Sequence, residues 1–148
     1  MARELNVLVT GASGQLGRAL RATAPSKWRV TGLSHQDVDV RDWHATRDAI
    51  AFEAPDVVVH AAAATDVDGC ERAPDFAYQV NAIGTRNTAV AAKQVEARLV
   101  FLSTNFVFDG EKDSPYHEFD DPNPISTYGA SKLAEEREGF AASPATYV

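Results

Sequence analysis

Short apolar runs alternate along the chain with longer stretches in which apolar positions recur at helical spacing. Residues 5–10 (LNVLVT), 28–34 (WRVTGLS), the start of 56–64 (DVVVHAAAA), 98–104 (RLVFLST) and 145–148 (ATYV) read as strands, with a further short strand over 38–40 (VDV). The spacing predicts helices over 15–23, 43–54, 74–97 and 126–140. Pro55 stops the second of these, and Pro74 sits in the first turn of the third, where its missing N–H has no partner to lose. The Asp- and Pro-rich stretch 108–124 reads as loop. Strands that are apolar almost throughout have both faces covered, and strict strand–helix alternation predicts a parallel sheet with helices on each side.

Within 148 residues this pattern makes one domain, and a hydrophobic share of 45% is enough to fill its core. The longest uncharged apolar run, 57–65, is too short to cross a bilayer, and the N-terminus has no leader layout. A cytoplasmic location is therefore expected. A single cysteine, Cys70, excludes an internal disulfide and cysteine-based zinc sites. The net charge of −7 disfavours nucleic acid and anionic membrane as partners. A small anionic ligand stays open, because a helix N-terminus binds phosphate without a basic surface. The chain stops inside a strand-like run, so its outer apolar surface is expected to be covered by further chain or by a second copy, as in a homo-oligomer.

The stretch VTGASGQLG (9–17) places Gly11, Gly14 and Gly17 three apart between a strand and a helix. That is the pattern of a dinucleotide-binding turn. The first glycine allows the tight turn, the second a close approach of pyrophosphate, and the third close helix packing. The fold class expected is thus a Rossmann-like doubly wound α/β sheet. Past the second strand the sequence reads LSHQDVD, with no acid before Asp37. Arg18 is either a solvated helix residue or a partner for a 2′-phosphate, and it tips the expected cofactor to NADP(H) over NAD(H). Asp39 either accepts from an adenine amino group or serves as a charge at the start of the next helix. The cluster His35, Asp37, Asp39, Asp42 and His44 lacks fixed ligand spacing, and no metal site is expected. Small residues at Ala61, Ala62 and Ala63 would let a cofactor lie flat at a strand end. Asn81 is a buried amide that either reaches toward the site or is satisfied locally.

Tyr128 and Lys132 stand four apart in ISTYGASKLAEE, on one helix face. A nearby ammonium favours the phenolate, which would make Tyr128 a usable acid/base near neutral pH. Thr104, at the end of the strand LVFLST, would emerge at the same sheet edge.

Together, VTGASGQLGRAL, AAAATDVDGCE, NAIGTRNTA, STNFVFDG and PYHEFDDPNPISTYGASKLAEE resemble the extended short-chain dehydrogenase/reductase family over nearly the whole chain. The resemblance is strongest to its nucleotide-sugar reductases. It implies NAD(P)H-dependent reduction of the 4-keto group of dTDP-4-dehydrorhamnose to dTDP-L-rhamnose. Tyr128 is then the proton donor, Lys132 the holder of the cofactor ribose, and Thr104 and Asn105 the sugar contacts. Ser13, Gln15, Leu16 and Arg18 join the three glycines around the cofactor, with Asp39 and Val40 at the adenine. Asn105 and Phe106 stand where related dehydratases carry an acidic pair, which disfavours elimination. Residues 1–148 correspond to the dinucleotide-binding domain, with the C-terminal substrate-binding portion absent from this chain, so the chain alone is expected to lack turnover. The rival readings are a non-catalytic NADP-binding regulatory subunit of methionine adenosyltransferase, and another nucleotide-sugar reductase or epimerase.

Overall fold

The computed structural model describes residues 4–148. Five parallel strands form one sheet: β1 (Asn6–Thr10), β2 (Arg29–Leu33), β3 (Val57–His60), β4 (Arg98–Phe101) and β5 (Thr146–Tyr147), in the spatial order β2-β1-β3-β4-β5. The chain leaves β1 for β2 on one side and later returns to β3 on the other. A doubly wound sheet binds ligands at such a reversal, beyond the carboxyl ends of the strands.

Alternate residues of the strands face opposite layers. Val7, Val9, Val57 and Val59 pack with Ala12 and with Leu20 of α1 (Gln15–Thr23). Leu8, Val58, Leu99 and Phe101 pack on the other face. Their cover comes from Ile50 of α2 (Trp43–Glu53) and from the alanines of α5 (Gly84–Gln94). Apolar packing thus covers both faces of the central strands, as their unbroken apolar runs require.

α2 starts where Asp42 accepts the Ala45 N–H at 3.1 Å and ends at Ala54, a left-handed residue before Pro55. The helical charge anticipated near Asp39 thus falls to Asp42. The 38–40 segment is not a strand. Asp37 takes the N–H and hydroxyl of Ser34 at 2.8 and 2.6 Å, which curls the chain away from the sheet. The Asn87 amide then holds the Val40 and Arg41 carbonyls.

The stretch after β3 forms its own helix, α3 (Val67–Arg72), which the sequence did not reveal. The long helix expected over 74–97 is α4 (Pro74–Tyr78) and α5, joined through a π-helical turn (Gln79–Ile83), and it ends at Gln94. β4 stops at Phe101, short of Thr104, and a 3₁₀ turn (Asn105–Val107) follows. The 108–124 loop is ordered by Asp109, which accepts from Tyr116 Oη and Asn123 Nδ2 and is held at about 2 by these bonds. α6 (Thr127–Ala142) is capped by Ser126 through the Gly129 N–H.

Directly after β1, Gly11 lies hard against the end of β3. Its φ is +66°, and an added Cβ would lie 2.6 Å from the Ala61 carbonyl and the Ala62 nitrogen. β1 and β3 can meet at their ends only because this residue has no side chain. Gly11→Ala should therefore lower stability by roughly 2–4 kcal/mol, read from urea denaturation. A loss below about 0.5 kcal/mol would show that the turn can relax without cost.

Candidate functional site

Two adjoining cavities lie over the carboxyl ends of β1 and β3, of about 480 and 550 Å³. They share Gly14, Ala61, Ala62 and Ala63 and together form one groove across the sheet reversal. At its centre, Gly14 is the N-cap of α1 and brings no side chain to cap it. The first N–H groups of α1 thus have no acceptor within the helix and carry its positive end, a natural seat for a phosphate. Gly17, buried beneath the turn, leaves no room for a Cβ against the Gly11 carbonyl oxygen, 2.5 Å away.

One end of the groove is lined by Ser13, His35, Val38, Asp39, Val40, Arg41 and Phe76. Arg41 grips the Asp39 carboxylate through Nε and one terminal nitrogen, at 2.6–3.0 Å. Its guanidinium carbon lies 5.3 Å from the centre of the Phe76 ring. The bound arginine holds the Asp39 carboxyl below its usual range. Asp37, turned back onto Ser34, is likewise lowered by those two hydrogen bonds.

The other end is lined by Gln15, Leu16, His60, Leu102, Ser103, Tyr128, Lys132 and Glu135. Tyr128, Lys132 and Glu135 fall at i, i+4 and i+7 on α6, one face of the helix. Lys132 is only 3% exposed. It donates to the Leu102 carbonyl at 2.6 Å and forms an ion pair with Glu135. Burial raises the Glu135 carboxyl to about 7, even though Lys132 beside it pulls the other way. His60 is forced the opposite way, to about 3, by burial and then by the Lys132 charge. Its Nδ1 lies 2.7 Å from Thr10 Oγ1. The phenyl ring of Phe106 meets the Tyr128 ring edge-on, with centroids 5.5 Å apart. Gly129 lets α6 come this near: an added Cβ would sit 2.1 Å from the Phe106 carbonyl oxygen.

Asn81, in the π-helical turn, ties the groove together. Its Oδ1 accepts from the Ala64 N–H at 2.8 Å, and its Nδ2 donates to the Ala64 carbonyl and to Ser131 Oγ. Ser131 in turn donates to the Tyr128 carbonyl at 2.8 Å. Both readings of Asn81 hold at once, since it is satisfied and its partners are the loop after β3 and the helix of Tyr128. A π turn widens the helix by one residue, which is how the amide reaches both.

The structure brings Gly11, Ser13, Gly14, Gln15, Leu16, Asp39, Val40, Ala61, Ala62, Ala63, Tyr128 and Lys132 to this groove. It does not bring Arg18, exposed on α1, to the lining of either cavity. The cation at the first end is Arg41. Thr104 does not line the cavity beside Tyr128; Leu102 and Ser103 do, because β4 ends early and Thr104 Oγ1 instead accepts the Phe106 N–H at 3.3 Å. Asn105 is exposed in the 3₁₀ turn. His35, Arg41, His60, Ser103 and Glu135 were not singled out from the sequence as cofactor or catalytic residues. For Glu135 the signal was present, three positions past Lys132 on the same helix face.

The groove fits a nicotinamide dinucleotide. The glycine turn leaves backbone space at the helix end, three alanines floor the middle, and polar groups stand at both ends. Among the described residues, no cluster of His, Cys, Asp or Glu could hold a metal ion, and no helix is long and apolar enough to cross a membrane.

The family described as RmlD substrate binding domain matches residues 5–148. The chain is 40% identical over 144 residues to dTDP-4-dehydrorhamnose reductase of Mycolicibacterium smegmatis, covering 96% of this chain and 43% of that protein. The crystal structure of dTDP-4-dehydrorhamnose reductase from Bacillus anthracis in complex with NADP superposes with a TM-score of 0.95 at 37% identity, over 99% of this chain and 52% of that one. The β subunit of bovine methionine adenosyltransferase 2 is 37% identical over 139 residues, covering 88% of this chain and 41% of that protein. The chain thus spans about half the length of the relatives it matches.

The buried histidine makes a pH prediction. His60 stays neutral in the fold to about pH 3, against an ordinary value of 6.5. Its contribution is complete above pH 6.5 and is lost as pH falls toward 3, because the unfolded chain takes up a proton that the fold refuses. Glu135 acts in the opposite sense between pH 4.5 and 7, but it is common to both proteins in a comparison with His60→Asn. From pH 6.5 to 4.5 the original chain should lose about 2–3 kcal/mol more stability than His60→Asn, measured by urea midpoints. Parallel pH curves would mean that His60 is protonated in the fold.

Proposed function

This chain belongs to the RmlD substrate binding domain family, and on that premise we propose that it is the dinucleotide-binding part of a 4-keto nucleotide-sugar reductase, converting dTDP-4-dehydrorhamnose to dTDP-L-rhamnose. One observation carries the reading: Tyr128 and Lys132 line the cavity that opens from the glycine turn. The relatives named for this reaction support it, and this chain spans about half of their length.

When bound, the reduced nicotinamide supplies the hydride to the keto carbon. The chain's own residues do the rest. The amino end of α1 seats the pyrophosphate. Tyr128, in the cavity beside the buried ammonium of Lys132, gives its hydroxyl proton to the keto oxygen. Lys132 stabilises the negative charge that develops there and stays in place because Leu102 and Glu135 hold it. Phe106 fixes the plane of the phenol from outside. Neither Asn105 nor Phe106 can exchange a proton near neutral pH, so the site suits reduction and not elimination.

At the adenine end, Arg41 and His35 offer positive or donor groups to a 2′-phosphate, while Asp39 offsets the arginine's charge. The site therefore accepts both cofactors and favours NADPH over NADH by only a few-fold. A second reading, a non-catalytic NADP-binding regulatory subunit, is favoured by the bovine relative. Turnover of the keto sugar separates the two.

Titrating the chain with NADPH and NADH by fluorescence should show both binding. Arg41→Ala should erase the preference for NADPH, whereas Arg18→Ala should leave it intact. A folded chain that binds neither would overturn the assignment of the groove. In an assay of 4-keto-sugar reduction, Tyr128→Phe should lower the rate by about 10²–10⁴-fold with little change in cofactor affinity. Near-normal turnover by that variant would remove Tyr128 from the reaction.

A further inference from the structure

Glu135 is the most deeply buried carboxylate of the site, 1% exposed, and among the described residues the only acidic one lining the cavity that holds Tyr128 and Lys132. Its charge has few competitors. On α6, Lys132 is its ion-pair partner, while Glu136, bonded by the Ser103 hydroxyl, keeps its charge and adds to the rise of the Glu135 carboxyl. From β3 comes His60, neutral down to about pH 3. From α5 come Thr85, which is uncharged, and Arg86, which pairs with Glu138 at the surface. From α3 come Cys70, whose thiol burial raises, and Glu71, taken up by Thr127. The α1 residues across the cavity, Gln15, Leu16 and Ala19, carry no charge. α4 offers only the exposed Asp75 and Tyr78, and the 3₁₀ turn offers none.

Of the groups that line this end of the groove, Lys132 and Glu135 form the charged pair, with the Tyr128 hydroxyl and the neutral His60 ring as the other titratable groups beside them. With Glu135 ionised, Lys132 is compensated and the pair sums to zero. With Glu135 protonated, one uncompensated positive charge remains. On the reading that the nicotinamide lies at this end, the two redox forms of the cofactor meet different fields there. The oxidised ring is a cation and the reduced ring is neutral; every other part of the two molecules is the same.

We propose that Glu135 determines how the site discriminates between oxidised and reduced nicotinamide dinucleotide, by neutralising Lys132 when the cationic ring is bound. Loss of its charge leaves the oxidised ring facing an unpaired, buried ammonium, and like charges repel. The reduced ring is indifferent to first order. Raising the pH through the range in which Glu135 ionises, centred near 7, therefore favours the oxidised form. Groups that see only the common parts of the cofactor, His35 and the 2′-phosphate among them, cancel in the ratio of the two affinities.

The experiment is equilibrium binding of NADP⁺ and of NADPH to this chain at several pH values from 6 to 8.5, with Glu135→Gln and Glu135→Asp beside it. The affinity ratio of NADP⁺ to NADPH should rise with pH by roughly fivefold in the original chain. It should stay flat in Glu135→Gln, at the low-pH value, and regain its slope in Glu135→Asp. Binding of both forms with no slope in the original chain, or with the same slope in Glu135→Gln, would overturn the proposal. Binding of neither form by the folded chain would instead overturn the dinucleotide reading. Should Glu135→Gln not fold, the slope in the original chain and in Glu135→Asp still decides, since a carboxylate with only a packing role gives none.

Discussion

A cationic side chain that has lost its water is the constraint around which this end of the molecule is arranged. Lys132 has one backbone carbonyl and one carboxylate in place of solvent, and both are supplied from fixed positions. The carbonyl belongs to Leu102, directly after β4, so the length of that strand decides where the ammonium can dock. The carboxylate belongs to the next turn of the same helix. His60 stays uncharged because it is buried and, in addition, because the ammonium is near, and Thr10 beside its Nδ1 on β1 fixes the ring. Moving any one of these groups would leave a buried charge short of a partner, which costs far more than a surface ion pair gains.

A sheet reversal creates the groove, but backbone proximity makes it usable. At Gly11 two strand ends come too close for a methyl group to fit between them, and at Gly129 a helix start does the same against the 3₁₀ turn. The first approach brings main chain, and not a side chain, up to the ligand space. The polar side chains then occupy only the two ends, which lets a long ligand be recognised at its termini while its middle rests on alanines.

Much of this was legible in the sequence. The glycine turn, the tyrosine and lysine one helical turn apart, and the apolar strands carry local signals that tertiary structure rarely overrides. The errors lie where a side chain recruits distant backbone. The 38–40 segment has strand-forming valines, but Asp37 folds it back onto Ser34 and Asn87 pins it from 47 residues away. Arg18 stands beside the motif in sequence but lines neither cavity, whereas Arg41 reaches the groove because the turn before α2 places it there. Thr104 was placed on an extension of β4 that does not form. Glu135 and His60 look like an ordinary helix acid and a strand residue until the fold sets them on either side of one ammonium.

The amide of Asn81 touches segments that lie 17 and 50 residues along the chain from it. Its last partner, Ser131, is in the final helix. Until that helix docks, the loop after β3 has an amide to bind but no second anchor, and the groove lacks one wall. Closing such a long loop is slow compared with pairing neighbouring elements. During synthesis, then, β1 to β4 can pair before residue 131 has cleared the ribosome, while the groove gains this wall only afterwards. A bound dinucleotide would act on that docking step and not on the pairing of β1 to β4.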